Sequence, residues 1–210
     1  MLEVSEYAKL VAGLVAIVNP VGKIPTFINL TENHTREEQH RVSMIAAASV
    51  LIILLIFLVA GEVILKFFGI GVNSFSVAGG ILIFLLALSM MVPGKAAASP
   101  APDSEDDLHI KHSIGVVPLG TPMMAGPGAI TTVVVYAHLH DSIHHYLMIG
   151  TAIVAVSFFT WGILRMAPTI GEKVGPMGMT IISRVMGLIM GAIAVEFIAK
   201  GLRGLFPVLQ

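Results

Sequence analysis

Ala16-Ile17-Val18-Asn19-Pro20-Val21-Gly22-Lys23-Ile24-Pro25-Thr26-Phe27 is the stretch on which the fold turns. It sets two prolines, a glycine, an asparagine and a lysine inside an otherwise apolar run. Proline removes an amide donor and clashes with the preceding helical turn, so a helix through this stretch must break. A second stretch, Thr121-Pro122-Met123-Met124-Ala125-Gly126-Pro127-Gly128, repeats the pattern. Pro122 and Pro127 each follow their counterparts Pro20 and Pro25 by 102 residues. In lipid, a broken helix persists only where protein or a water-filled cavity satisfies the freed backbone. Paired breaks in two halves of a chain point to a transporter built from repeats, with its site between the breaks.

Composition fits that setting. Of the 210 residues, 56% are hydrophobic and 12% charged, and the mean hydropathy is +0.90. A soluble domain carries about 25% charged residues, so the chain reads as an integral membrane protein. It has no cysteine, which excludes disulfides and thiol redox chemistry. A net charge of −1 with no basic patch gives no reason to expect a nucleic-acid partner. The partners expected are the lipid bilayer and a small solute. The acidic start, Met1-Leu2-Glu3-Val4-Ser5-Glu6, lacks the basic region of a signal peptide, so the first helix is expected to stay in the mature protein. GxxxxGK[ST] is absent, and primary energy use is not expected.

A bilayer-crossing helix needs about 20 apolar residues. Six are expected, at 7–30, 42–65, 74–92, 114–137, 145–165 and 180–203, with helices one and four discontinuous. Residues 1–92 form a first three-helix repeat, 93–113 a polar linker and 114–210 a second repeat. The third helices also align, Val77-Ala78-Gly79-Gly80-Ile81-Leu82 against Val185-Met186-Gly187-Leu188-Ile189-Met190, at an offset of 108. An odd number of helices per repeat makes the second copy insert upside down, which is the inverted repeat of many secondary transporters. The fold class expected is therefore all-α, with six transmembrane helices in two inverted repeats. The linker carries Asp103-Ser104-Glu105-Asp106-Asp107 and reads as a solvated loop. Arg36, Arg41, Lys95, Lys111, Arg165, Lys173 and Arg184 gather on one face, against Lys9, Lys66, Lys200 and Arg203 on the other. That bias puts the first face in the cytoplasm and both termini outside, in a plasma membrane (the inner membrane of a bacterium).

A broken helix offers unpaired carbonyls on one side and unpaired amides on the other, with the dipoles adding partial charge of opposite sign. Two such breaks facing each other suit a small zwitterion. The amides of Gly126, Gly128, Ala129 and Ile130, after Pro127, are the expected cradle for a carboxylate, with hydroxyls from Thr131 and Thr132. In the first break the Val18 and Asn19 carbonyls are placed to take an ammonium, and Gly22 between Pro20 and Pro25 allows close approach. Thr121, beside Pro122, holds the position equivalent to Asn19. The competing reading is two kinked helices without a ligand, since Pro and Gly are common in membrane spans.

Asn-Pro-x-Gly-x-x-Pro-x-Phe in the first helix, the run Pro122–Thr132 and Arg-x-Met-Gly at Arg184–Gly187 together resemble the MarC family, over nearly the whole chain. That family includes transporters of small neutral amino acids. The resemblance implies six helices in two inverted repeats, with glycine, alanine and similar substrates held at the broken helices. No enzyme activity and no cofactor are implied, and proton or sodium coupling is open. One departure is Glu196, where many relatives of this pattern carry Gln.

Other residues divide between chemistry and packing. Lys23, inside the first break, is a candidate for binding a carboxylate or balancing charge, against snorkelling to an interface. Glu196, about two turns from the end of helix six, is a candidate for carrying a coupling proton if desolvated, against an interfacial role. Glu62 and Lys66, four apart, are expected to pair. His138, His140, Asp141, His144 and His145 form a histidine-rich loop, read as solvated, with no metal site assigned. Gly187, Gly191 and Gly79-Gly80 are expected to allow close helix packing behind the breaks. Met123 and Met124 are expected to shape the pocket. A homo-oligomer is open, with no interface standing out. The rival functions are export of another small solute or drug-like compound, a passive channel and, from a different class, an intramembrane metalloenzyme using His138, His140, His144 and His145.

Overall fold

The structure is a computed structural model, and it describes residues 4–91, 124–206 and 208. Its elements are α1 (Val4–Val18), α2 (Ile24–Leu30), α3 (Arg36–Phe67), α4 (Val72–Met91), α5 (Pro127–Ala137), α6 (Ile143–Arg165) and α7 (Ala167–Leu205). The helices α3, α4, α6 and α7 are long and apolar enough to cross a membrane, and α5 is a shorter apolar helix. Helix one of the sequence reading is broken as expected, into α1 and α2. The first half of helix four, with Thr121, Pro122 and Met123, lies outside the described residues, as does the polar linker.

Local chemistry sets the helix ends. Thr35 caps α3 in a capping box: its hydroxyl accepts from the Glu38 amide, and the Glu38 carboxylate accepts from the Thr35 amide at 2.7 Å. The box fixes the entry to a 32-residue helix. The exit is a Schellman turn, in which Ile70 N–H donates to the Leu65 carbonyl at 2.9 Å and Gly69 N–H to Lys66 at 3.1 Å. Gly69 makes it with φ 67, a conformation that only glycine adopts cheaply. Ser142 caps α6 by accepting from the His145 amide, so His144 and His145 belong to the first turn of α6 and not to a loop.

The sequence reading placed the last helix at 180–203. The structure starts α7 at Ala167, one residue after α6 ends, and breaks it at Gly175-Pro176. Gly175 has φ 68 and ψ 171, and Pro176 has no amide to continue the ladder. A leading half-helix therefore precedes the long span.

Packing pairs the helices. α4 runs against α7, α3 against α6, and α1 against both α5 and α6. Glycines bring α4 and α7 together: a Cβ at Gly201 would meet the Asn73 carbonyl and Val77, and one at Gly187 would meet the Ala87 carbonyl. Ser76 adds a buried interhelical bond to the Phe197 carbonyl at 3.0 Å. Small residues that let backbones approach, with a few polar links, are how helices associate in lipid. The core is built on Leu10, Leu14, Ile24, Phe27, Leu54, Ile83, Ile149 and Ile153, all essentially inaccessible. Yet the outside is equally apolar, with Val59, Phe67, Phe158 and Leu188 each more than 60% exposed. An apolar exterior of this extent is a liability in water and a requirement in a bilayer.

Two polar faces bound the molecule. On one, Lys66 pairs with Glu62 at 2.7 Å as expected, with His138 at 3.8 Å from the same carboxylate. Tyr7, His145 and Tyr136 meet on that face too. The other face carries Arg36 and Glu172, 4.0 Å apart. α1 runs away from the first face and α5 runs toward it. Counted from Tyr7 on that face, α1 carries the first break about 16 Å in, and the 11 residues of α5 start the second about 16 Å in. Both breaks thus stand deep in a hydrocarbon core of about 30 Å.

Candidate functional site

At the first break the chain turns through Asn19, the single described non-glycine residue with positive φ (48). Asparagine tolerates this region because its side chain bonds locally. Here its Oδ1 accepts from the Gly22 amide at 3.1 Å, and its Nδ2 donates to the Met90 sulfur at 3.5 Å. Gly22 is required by proximity, since a Cβ there would run into the Asn19 carboxamide.

This turn diverts amide donors from the end of α1. Pro20 has none to give the Ala16 carbonyl. The Gly22 amide goes to the Asn19 side chain and the Lys23 amide to the Pro20 carbonyl at 3.3 Å. Among the described residues, no donor reaches the Val18 and Asn19 carbonyls. Both residues are buried, at 0% and 4% exposure. Buried carbonyls without donors are costly, and a cationic ligand relieves that cost.

Beside them lies a cavity of about 1130 Å³. Its described walls are the break itself (Asn19, Gly22, Lys23, Pro25), Leu86 and Met90 of α4, and a long strip of α7 from Pro168 to Arg184 that includes Glu172, Gly175 and Pro176. The cavity thus joins the expected break to a second discontinuity that the sequence reading missed. The signal was present: Gly-Pro is a strong break dipeptide, but Gly175-Pro176 fell before the stretch read as a span.

The second break is built differently. Gly126 is extended, with φ −71 and ψ 177, and Pro127 starts α5, where a missing amide does no harm. The Ala129 and Ile130 amides, expected to cradle a carboxylate, both donate to the Gly126 carbonyl, at 3.0 and 3.2 Å. They close the first turn and are not held open for a ligand. Thr132, expected to add a hydroxyl, donates it to the Gly128 carbonyl at 2.8 Å. Gly128 faces Ile83 and Ile17, and a Cβ on it would overlap the former. Its smallness serves packing. Thr131 sits against Gly79, where a Cβ would overlap its side chain. Gly126, Pro127, Ile130 and Thr131 line a separate, apolar cavity of about 410 Å³, with Phe57, Phe75 and Leu82.

The two breaks are therefore neighbours, through Ile17 and Gly128, but their described residues line different cavities. Met124 is buried in the core and lines neither. Glu196 is 63% exposed, lies outside both cavities and pairs with Lys200 at 3.4 Å. The protein itself leaves this carboxylate uncovered. No described group of His, Asp and Glu is placed to hold a metal. His145 departs most from the solvated-loop reading. It is 0% exposed, with Nδ1 2.8 Å from the Tyr7 hydroxyl and Nε2 2.8 Å from the Tyr136 carbonyl. The carbonyl requires the proton on Nε2, so Nδ1 accepts from Tyr7. The histidine ties α1, α5 and α6 together. Ser142 three residues ahead, a capping position, was the signal for its inward turn.

The family model described as MarC family integral membrane protein matches residues 4–206. The UPF0056 membrane protein YhcE of Escherichia coli (strain K12) is 41% identical over 202 residues, 96% of this chain and 94% of the relative. The UPF0056 membrane protein YvbG of Bacillus subtilis (strain 168) is 38% identical over 197 residues, 93% of each. A UPF0056 membrane protein of Pyrococcus abyssi is 37% identical over 209 residues, 99% of this chain and 100% of the relative. No solved structure matches.

Proposed function

Because the chain belongs to the MarC family of integral membrane proteins, we propose that it is a secondary transporter of small neutral amino acids, of the glycine and alanine type, and not an enzyme. The single observation that carries this reading is the first break. Two buried carbonyls without donors stand at the break that walls a cavity also lined by Lys23 and Arg184. An ammonium satisfies the carbonyls, and the same small molecule brings a carboxylate for the cations. The substrate is held by the break of α1/α2 and the break of α7, with α5 packed behind.

The proposal includes six spans in two inverted repeats. Supporting it, α3 packs on α6, α4 on α7 and α1 on α5, so each helix meets its counterpart. It also includes alternating access, with the halves rocking about the glycine-lined α4–α7 contact, in a plasma membrane with both termini outside. Proton or sodium coupling and a homo-oligomer belong to the same proposal.

Counterflow in proteoliposomes tests it. Vesicles loaded with unlabelled alanine are expected to accumulate labelled alanine transiently, and empty vesicles are not. Equal rates in both would mean a channel. Counterflow with a drug-like solute and none with alanine or glycine would mean the exporter reading.

A further inference from the structure

The first-break cavity carries an unbalanced charge. Lys23 and Arg184 line it, and Glu172 is the acid among its described walls. Glu172 is already shared with Arg36, at 4.0 Å. Lys23 is half-buried at the N-cap of α2, and among the described residues no carboxylate lies within ion-pair distance of it. An ammonium at membrane depth is expensive unless paired, and one without a carboxylate among the described residues is suited to a partner from outside. Lys23 is also one of the residues that line the cavity.

We propose that Lys23 is the specificity-determining residue of this site: its ammonium, with Arg184 of α7 as a second cation lining the same cavity, binds the carboxylate of the substrate. A solute without a carboxylate is rejected because it leaves Lys23 unpaired. This deepens the transporter reading and rests on it. It moves carboxylate recognition away from the α5 amides, two of which are already bonded to Gly126, and into the cavity that the α7 break also lines. Asn19 lines the same cavity, four residues before Lys23 in the chain, so the group for the ammonium and the group for the carboxylate come from one turn.

The test uses the full chain in detergent, with thermal stabilisation by L-alanine, alaninamide and propionate, followed by alanine counterflow. Alaninamide keeps the ammonium and loses the carboxylate, whereas propionate does the reverse. In the wild type, alanine is expected to bind at least about tenfold more tightly than alaninamide. Lys23→Gln is expected to weaken alanine about tenfold or more and to flatten that preference, and Lys23→Arg to restore it. Arg184→Gln is expected to give a smaller loss in the same direction. If Lys23→Gln fails to fold, the wild-type preference and the Lys23→Arg variant still decide. An alanine preference unchanged in Lys23→Gln, or alaninamide binding as tightly as alanine in the wild type, overturns the assignment and leaves the transporter reading standing. No stabilisation and no counterflow with any amino acid overturns both.

Discussion

At the first break the chain bends through Asn19, hands the Gly22 amide to a side chain and leaves the Val18 and Asn19 carbonyls without donors beside a cavity of about 1130 Å³. At the second, Gly126 stays extended, its carbonyl collects two amides, and the glycine that follows Pro127 is packed against isoleucines from α1 and α4. Among the described residues, the first stretch thus forms an open joint, whereas the described side of the second is closed and apolar. The difference lies in the residues between the prolines. Asn-Pro-Val-Gly-Lys supplies a local side-chain bond and a charge, whereas the described part of the second stretch, Met-Ala-Gly, supplies only apolar surface. Proline position sets where a membrane helix breaks, and the residues around it set whether the freed backbone is offered to a ligand or consumed.

If the second break is a packed joint, it should fail by overfilling. Gly79→Val places methyl groups into the Thr131 side chain, and overpacking of this kind costs about 3 kcal/mol. Melting in detergent is expected to fall by the largest margin of any variant named here. An unchanged melting temperature would mean that α4 stands off from α5, and the contrast between the breaks would lose one side.

The first break should fail by losing its turn. Asn19→Ala puts a Cβ-bearing residue without a bonding side chain at φ 48, which costs about 1 kcal/mol, and it removes the bond to Gly22, which costs about 1 more. Asn19→Gly tolerates the dihedral and is expected to recover roughly half of that. If the two variants melt alike, the dihedral carries no strain. Comparing alanine stabilisation in Asn19→Gly and wild type then separates the shape of the turn from direct contact with the ligand.

Much of this organisation was legible in the chain. The break after Val18 followed from Pro20 alone, and the spans near 42–65, 74–92 and 145–165 followed from runs without charge, with α3 starting six residues earlier and α4 and α6 two residues earlier in the structure. What could not be read was which backbone groups stay free. Ala129 and Ile130 were expected to offer amides because they open a helix, but whether an opening turn closes on its own cap is a matter of dihedrals that composition does not contain. His145 and Glu196 show the same limit for side chains. A histidine in a polar loop turned inward because Ser142 started α6 early, and a carboxylate inside an apolar helix faced outward because four glycines of α7 bring its opposite face onto α4.

The buried histidine gives a smaller effect that tests the frame around both breaks. Tyr7→Phe removes the hydroxyl that satisfies His145 Nδ1 and is expected to cost about 1.5 kcal/mol, read by melting at neutral pH. The bond joins α1, which ends at the first break, to α6, which follows α5 and the second break in the chain. A loss of melting temperature with alanine affinity unchanged would make the contact purely structural. A change in affinity of similar size would mean that the ends of α1 and α6 move when the substrate binds.

The smallest effect is expected at Glu196. Its pair with Lys200 is exposed on both sides, and exposed pairs contribute about 0 to 1 kcal/mol. Glu196→Gln is therefore expected to melt within about 0.5 kcal/mol of wild type and to leave alanine counterflow unchanged between acidic and neutral pH. If it instead abolishes the pH dependence of transport, a carboxylate outside both cavities controls coupling. Proton entry would then have to be sought on the face of Lys200 and not in the cavity of Lys23, and the two breaks would no longer divide the work between an open site and a closed joint.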